Sequence, residues 1–322
     1  MLRIVALVVL IFGFSAQAEI ITNGHLTITI RNDNGAIDSY VMDGVDYFGQ
    51  GAHVSDWGVQ IGSDTSTFRI NYTNGGTAIP VSVTKVSANQ VDVTGIINWA
   101  GKNVSFVRSI KVSDSQNAML FSYVLTNNDL FDPVEISVFE TFDPDQGIVS
   151  GGGYETYNDV VTFSGLRVAQ AVSESGLTFM IGTTDSRMTL AAGSPFRISS
   201  GAGLNSFFAS PYDGEGTFDD EGVHIGLRVT LEAGEETTSV AAAGSAQNTD
   251  ATVAGDAISD IATGLVADIL ETDLVNRIIK TVQDEGPSVT TQEVTTTDTG
   301  GAVEYSFLLV LFAFGWGMRR SK

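Results

Sequence analysis

The residues best placed to do chemistry are two aspartates in the run Phe142-Asp-Pro-Asp-Gln-Gly147. Pro144 holds the backbone extended, so Asp143 and Asp145, at i and i+2, point the same way. Two carboxylates held together repel unless a cation or a donor lies between them. Oxygen-only ligand sets of this kind suit Ca2+, with loop carbonyls completing about 6–8 ligands. Asn158 and Asp159 follow a short Gly-rich loop and are expected to join them. The alternative is that Asp143 caps a turn and Asp145 is solvated. A second acidic loop, Asp213 to Glu221, carries Phe218 where an EF-hand needs glycine and reads as a solvated hairpin tip.

Glu140 is the one candidate acid or base. On a strand starting at Val134 it shares a face with Val134, Ile136, Val138 and Phe142. A carboxylate on an apolar face needs a raised pKa or a buried partner such as Arg69 or Arg108. It is either a general acid or base in a concave site, or half of a core ion pair. His25, His53 and His224 are scattered and lack zinc spacing. His25 and His224 fall at strand starts, where surface positions are expected. The absence of cysteine rules out thiol catalysis, no Gly-x-Ser-x-Gly elbow occurs, and no Lys-Ser/Thr follows Gly151-Gly-Gly153 to make a phosphate cradle. Trp57, Trp99, Tyr154 and Tyr157 lie beside polar residues and are candidate rings for stacking on surface glycans, with core filling as the alternative.

The elements that must position these residues are strands. From Ile20 to about Ala243 the hydropathy alternates with period two, as in Leu26, Ile28 and Ile30 against Thr27 and Thr29. Asn34-Gly35, Asp43-Gly44 and Ala88-Asn89 mark turns. Strands are expected at 104–112, 119–126, 134–142, 160–168, 177–182 and 223–231, with no helical stripe among them. Turn signals recur at the spacing of a sandwich or barrel. The fold class is therefore all-β, one large antiparallel β-sandwich over 19–245. A small polar linker follows, and within 246–285 the period becomes 3.6: Ile258, Ile261, Leu265 and Ile269, with Leu270, Leu274, Ile278 and Val282 beside them, predict one amphipathic helix, with Gly264 a place for a break, that packs on the sandwich or on a partner. Its acidic polar face argues against a membrane surface. Residues 286–299, Thr/Ser/Glu-rich, are expected to form a disordered stalk.

The ends carry the address. Arg3, an apolar run from Ile4 to Phe14 and the small-x-small pair Ala16 and Ala18 predict a signal peptide over 1–18, which signal peptidase would cut to leave Glu19 first. At the other end Gly300-Gly301, an apolar run over 306–318 and Arg319-Arg320 resemble the GlyGly-CTERM sorting tag of Gram-negative bacteria. That resemblance implies a rhomboid-type intramembrane protease as partner and a product at the cell surface or outside; a retained transmembrane anchor in 300–322 is the alternative. The formal charge of −22 disfavours nucleic acid and anionic membranes as partners and favours cations.

The body carries a second resemblance. Arg108-Ser-Ile-Lys-Val, Met119-Leu-Phe-Ser-Tyr-Val-Leu-Thr-Asn127, Pro133-Val-Glu-Ile, Phe142-Asp-Pro-Asp-Gln-Gly147 and Leu231-Glu-Ala-Gly-Glu-Glu-Thr-Thr238 are similar to the strand sequence of galactose-mutarotase-like super-sandwich domains. That resemblance implies a large sandwich found in carbohydrate-active enzymes and surface proteins. The family's catalysis uses a His acid and a Glu base, and no such pair maps onto this chain. The expectation is an exported, surface-displayed binding or structural module, glycan- or Ca2+-dependent. The alternatives are a carbohydrate-active enzyme on the same sandwich and a passive acidic surface protein.

Overall fold

The computed structural model describes residues 18–48, 54–73, 75–114, 118–163, 166–183, 185–214 and 217–246. All of them fall within one compact unit. The segment before Ala18, the expected helix and stalk, Gly300-Gly301 and the terminal apolar run lie outside the described residues, as does His53.

The chain runs β1 (Ala18–Thr22), β2 (Leu26–Arg31), β3 (Ile37–Met42), β4 (Val45–Asp46), β5 (Val54–Ile61), β6 (Arg69–Asn71), β7 (Ser82–Ser87), β8 (Gln90–Trp99), β9 (Lys102–Val112), β10 (Ala118–Asn127), β11 (Val134–Asp143), β12 (Thr156–Phe163), β13 (Leu166–Ser173), β14 (Thr178–Gly182), β15 (Met188–Gly193), α1 (Gly201–Ala209), β16 (Thr217–Asp219), β17 (Gly222–Leu231) and β18 (Glu236–Ala246). The strands form a four-stranded sheet, β1-β2-β3-β4, a nine-stranded sheet, β16-β12-β13-β14-β18-β10-β9-β8-β7, and a five-stranded sheet, β15-β17-β11-β5-β6. The described strand pairs are antiparallel. The fold is an antiparallel β-sandwich.

Period-two alternation builds it. Along β9, Val104, Phe106, Ile110 and Val112 turn inward and Ser105, Ser109 and Lys111 turn away. The Asp43-Gly44 turn has positive φ at both residues, 47° and 85°, the geometry that lets a two-residue hairpin follow the strand twist. The inner faces of all three sheets meet in one core, where Ile28, Tyr40 and Phe48 join Trp57, Phe121, Phe142 and Phe179.

Two sequence expectations need correction. The stretch expected as one strand over 160–168 belongs to two, β12 and β13, paired antiparallel on either side of Ser164-Gly165. The region expected to be free of helix contains α1. Ser200 caps it, its Oγ accepting from the Gly203 N–H at 3.1 Å, and Leu204 and Phe207 supply its buried face. So short a helix shows only one apolar i, i+3 pair, which hides it inside a strand pattern.

That helix and the segment before it lie over the outer face of the five-stranded sheet. Leu204, Phe207 and Ile198 pack there on Phe139, Ile70 and Ala191. Gly226 makes the close approach possible, since a Cβ at that position would sit 2.8 Å from Phe207 Cε1. β5 and β11 are consequently buried on both faces. Among the described residues no helix is long and apolar enough to cross a membrane.

Candidate functional site

β11 places two carboxylates on opposite faces. Even positions from Val134 to Phe142 point into the core, so Glu140 does too. Arg108, on β9, meets it there: Nε donates to Oε1 at 2.5 Å and Nη2 to Oε2 at 2.9 Å. The Tyr123 hydroxyl also donates to Oε1, and Arg108 Nη1 donates to the Gly35 carbonyl at 2.8 Å. The guanidinium lies 5.4 Å from the Trp57 ring centroid and 5.5 Å from that of Phe121. Burial works against the Arg108 charge, but Glu140 outweighs it and raises the guanidinium pKa further. Burial, and then the Glu140 charge, push the Tyr123 hydroxyl far above its ordinary value. Both Glu140 oxygens are engaged within a sealed core, so of the two readings of Glu140 the geometry matches the ion pair. Arg69 instead donates to the Ser66 and Phe68 carbonyls.

The odd positions of β11 face the other way. Asp56, Thr141 and His224 occupy one row across β5, β11 and β17. His224 is buried, not at the surface as expected: Nδ1 lies 2.7 Å from Thr141 Oγ1 and Nε2 2.9 Å from the Pro195 carbonyl. A carbonyl can only accept, so Nε2 carries the proton and Nδ1 accepts from the threonine hydroxyl. Burial pushes the imidazole down to about 4. Asp56 Oδ1 accepts from the Thr73 N–H at 2.6 Å and hydroxyl at 3.0 Å, and Oδ2 pairs with Arg197 Nε at 2.8 Å. Burial raises the Asp56 pKa against the opposing pull of the Thr73 N–H and Arg197. The sequence signal for this row was present: Val223, Ile225 and Leu227 claim the core face of β17, so His224 had to face away, and glycines at 222 and 226 announce a close neighbour there.

At the end of the same face Asp143 and Asp145 converge, and Asp220 joins them from the turn after β16; one carboxylate oxygen of each lies within 4.8 Å of the others. Asp143 is 2% exposed and Asp145 1%, while Asp220 opens to solvent. Burial, then the charges of Asp145 and Asp220, push the Asp143 carboxyl up to about 8, with Arg197 pulling the other way. Burial, Asp219 and Glu155 raise Asp220 as well. Three oxygen ligands with a solvent-facing side suit a hard divalent cation, and such an ion would take the place of the proton that Asp143 otherwise holds.

Asn158 and Asp159 are neighbours on β12, so they point to opposite faces; Asn158 is buried and donates to Thr156 O at 3.0 Å and Oγ1 at 2.9 Å. Only one of the two can face any single site, and Asp159 is not among the acidic side chains that gather with Asp143 and Asp145. Asp220 comes instead from the acidic loop expected to be a solvated tip. Trp57 is fully buried, its Nε1 donating to the Asn34 carbonyl at 2.9 Å, and it cannot stack on a glycan. Trp99 is half-buried beneath Arg69. Tyr154 and Tyr157 are exposed, and Tyr157 packs on Phe218 with ring centroids 4.5 Å apart. Ala18 and Glu19 lie in β1.

No family model matches the chain, and no curated protein matches it. Solved structures do. A galactose mutarotase-like protein from Lactobacillus casei ATCC 334 is similar over 71% of this chain and 100% of its own, at 11% identity and a TM-score of 0.46. A putative aldose 1-epimerase from Escherichia coli K12 is similar over 71% of this chain and 99% of its own, at 8% identity and a TM-score of 0.45. A galactose mutarotase related enzyme from Lactobacillus acidophilus covers 73% of this chain and 99% of its own, at 9% identity and a TM-score of 0.45.

Proposed function

We propose that this chain is an exported, surface-displayed β-sandwich that binds rather than catalyses, with a divalent cation held by Asp143, Asp145 and Asp220. The observation that carries this reading is the convergence of three carboxylates of which two are almost wholly buried. Burying like charges together is costly unless a cation or a proton intervenes. At the calcium concentrations outside a cell, the cation is the natural occupant. The leader expected at 1–18 and the sorting tag expected at 300–322 are the sequence features that support this reading, with signal peptidase and a rhomboid-type protease as the processing partners it calls for. Tyr154 and Tyr157 are the rings left in solvent for a surface glycan.

The test is a melting experiment on the mature protein with Ca2+ and with EGTA. Added Ca2+ is expected to raise the melting temperature and EGTA to lower it. Equal values in both would retire the cation.

One observation favours a carbohydrate-active enzyme as the second reading: a carboxyl with a pKa near 8 beside other carboxylates is the arrangement of an acid–base pair. That reading requires hydrolysis or anomer exchange on some member of a glycan panel, lost in Asp143→Asn.

A further inference from the structure

Exposed aromatic rings gather around the carboxylate trio. Among the described residues, five aromatic side chains stand 40% or more in solvent: Phe131, Tyr154, Tyr157, Phe196 and Phe218. Phe131 lies just before β11, roughly 30 Å along that strand from Asp143. The other four lie on the segments that supply or flank the trio. Phe218 stands two residues before Asp220. Tyr157 pairs with it across β12 and β16, ring against ring. Strand alternation turns Tyr157 outward, because Thr156 and Asn158 are buried on the inner face. Tyr154 and Tyr157 bracket Glu155, whose charge acts on Asp220. Phe196 adjoins Arg197, whose charge acts on Asp143. Apolar residues scattered singly on a surface are ordinary, whereas a group of them at one place marks a binding surface.

The trio itself is unfinished as a cation site. Asp143 is 2% exposed, and none of the described hydrogen bonds reaches its carboxylate. Each of the three side chains offers one oxygen to a shared point. Ca2+ takes about 6–8 oxygens, so about three or more positions stay open on the side where Asp220 meets solvent. We propose that the cation bridges the protein to a sugar: two adjacent hydroxyls of a neutral pyranose complete its coordination, and the apolar face of the sugar packs on Tyr157 and Phe218. This rests on the cation reading of the trio and names what the cation is for. Charge selects the class of sugar. Arg197 is matched by Asp56, so its guanidinium is not left for an anion. Three carboxylates exceed the charge of a divalent ion, and Glu155 and Asp219 add to it beside Asp220. A uronate or another acidic sugar meets net repulsion there, and an uncharged one does not. Hydroxyl oxygens satisfy the ion, and the tyrosine and phenylalanine faces satisfy the C–H surface of the same ring.

The test passes the full mature chain over polyacrylamide beads bearing mannose, galactose, glucose or glucuronate, in Ca2+ and in EGTA, with calcium uptake followed separately by calorimetry. In Ca2+ the protein is expected to stay on at least one of the three neutral sugars, to elute in EGTA and to pass the glucuronate beads. Tyr157→Ala with Phe218→Ala is expected to weaken retention about ten-fold or more and to leave calcium uptake at the parent's level. Phe218→Leu keeps an apolar side chain on β16 and removes the ring, so it repeats the test if the double variant fails to fold. Calcium uptake without retention on any neutral sugar, retention that survives EGTA, or retention unchanged in the ring variants would overturn the bridge. Tighter retention on glucuronate than on the neutral sugars would overturn it too. Absence of calcium uptake in the parent would instead sink the cation itself, and the bridge with it.

Discussion

Glu140 and Asp143 stand three residues apart on one strand, both nearly sealed from water, and meet opposite fates. Glu140 faces a core that supplies a guanidinium and a hydroxyl in good geometry, so its charge is balanced from within the fold. Asp143 faces Asp145 and Asp220, so its nearest carboxylates deepen the cost of burial, and Arg197 offsets it only in part. Burial of a carboxylate alone therefore does not mark a functional group. What marks it is whether the surrounding charges satisfy or aggravate the burial.

The largest effect that bears on this contrast is at the internally balanced end. Arg108→Met should cost about 3–5 kcal/mol, because it strands Glu140 in an apolar core. The double variant with Glu140→Met should recover most of that loss, as read from denaturant unfolding. A single variant costing under about 1 kcal/mol would mean that the pair is not what neutralises Glu140.

At the other end the pH dependence has a definite sign. With its folded pKa raised to about 8, Asp143 binds a proton more readily in the folded chain than in the unfolded one. Its contribution is fully present below the unfolded value, near pH 4, and is lost as the pH rises through 8. In EGTA the melting temperature should therefore fall from pH 5 to pH 8, and Asp143→Asn should flatten the profile. Saturating Ca2+ should flatten it as well.

His224 gives the opposite slope. Its folded pKa is lowered to about 4, so its contribution is present at neutral pH and lost as the pH falls from 6.5 through 4. His224→Gln should remove that acid-side loss while costing about 1–3 kcal/mol at pH 7 through the hydrogen bonds to Thr141 and Pro195. An acid-side profile identical to the parent's would show that His224 does not titrate as its burial demands.

How much of this was legible in the sequence divides along the same line. Alternation in β2, β9, β10 and β11 announced the sandwich, and the apolar companions of Glu140 announced a buried partner. Both follow from local pattern, because period two assigns faces directly. The trio was legible only in part. Asp143 and Asp145 are fixed by one proline between them, whereas Asp220 arrives through the pairing of β16 with β12, a contact between distant stretches that no local spacing reveals. The same alternation, applied to Asn158 and Asp159, shows that both cannot serve one site. Trp57 failed as a surface ring for a related reason: β5 is central in a sheet covered on both faces, and its polar neighbours Asp56 and Gln60 are buried too.

The smallest expected effect sharpens the assignment. Asp159→Asn lies outside the cluster and should shift neither the melting temperature nor its response to Ca2+ by more than about 0.5 kcal/mol equivalent. A response that disappears in this variant would move the site towards β12.

Calcium titration calorimetry on the mature protein and on Asp143→Asn/Asp145→Asn tests the central claim most directly. The account predicts one ion bound per chain in the parent and none in the variant, whose melting temperature in EGTA equals or exceeds the parent's because the cost of burying two carboxyl groups beside Asp220 is gone. No heat of binding in the parent, or unchanged binding in the variant, would contradict it.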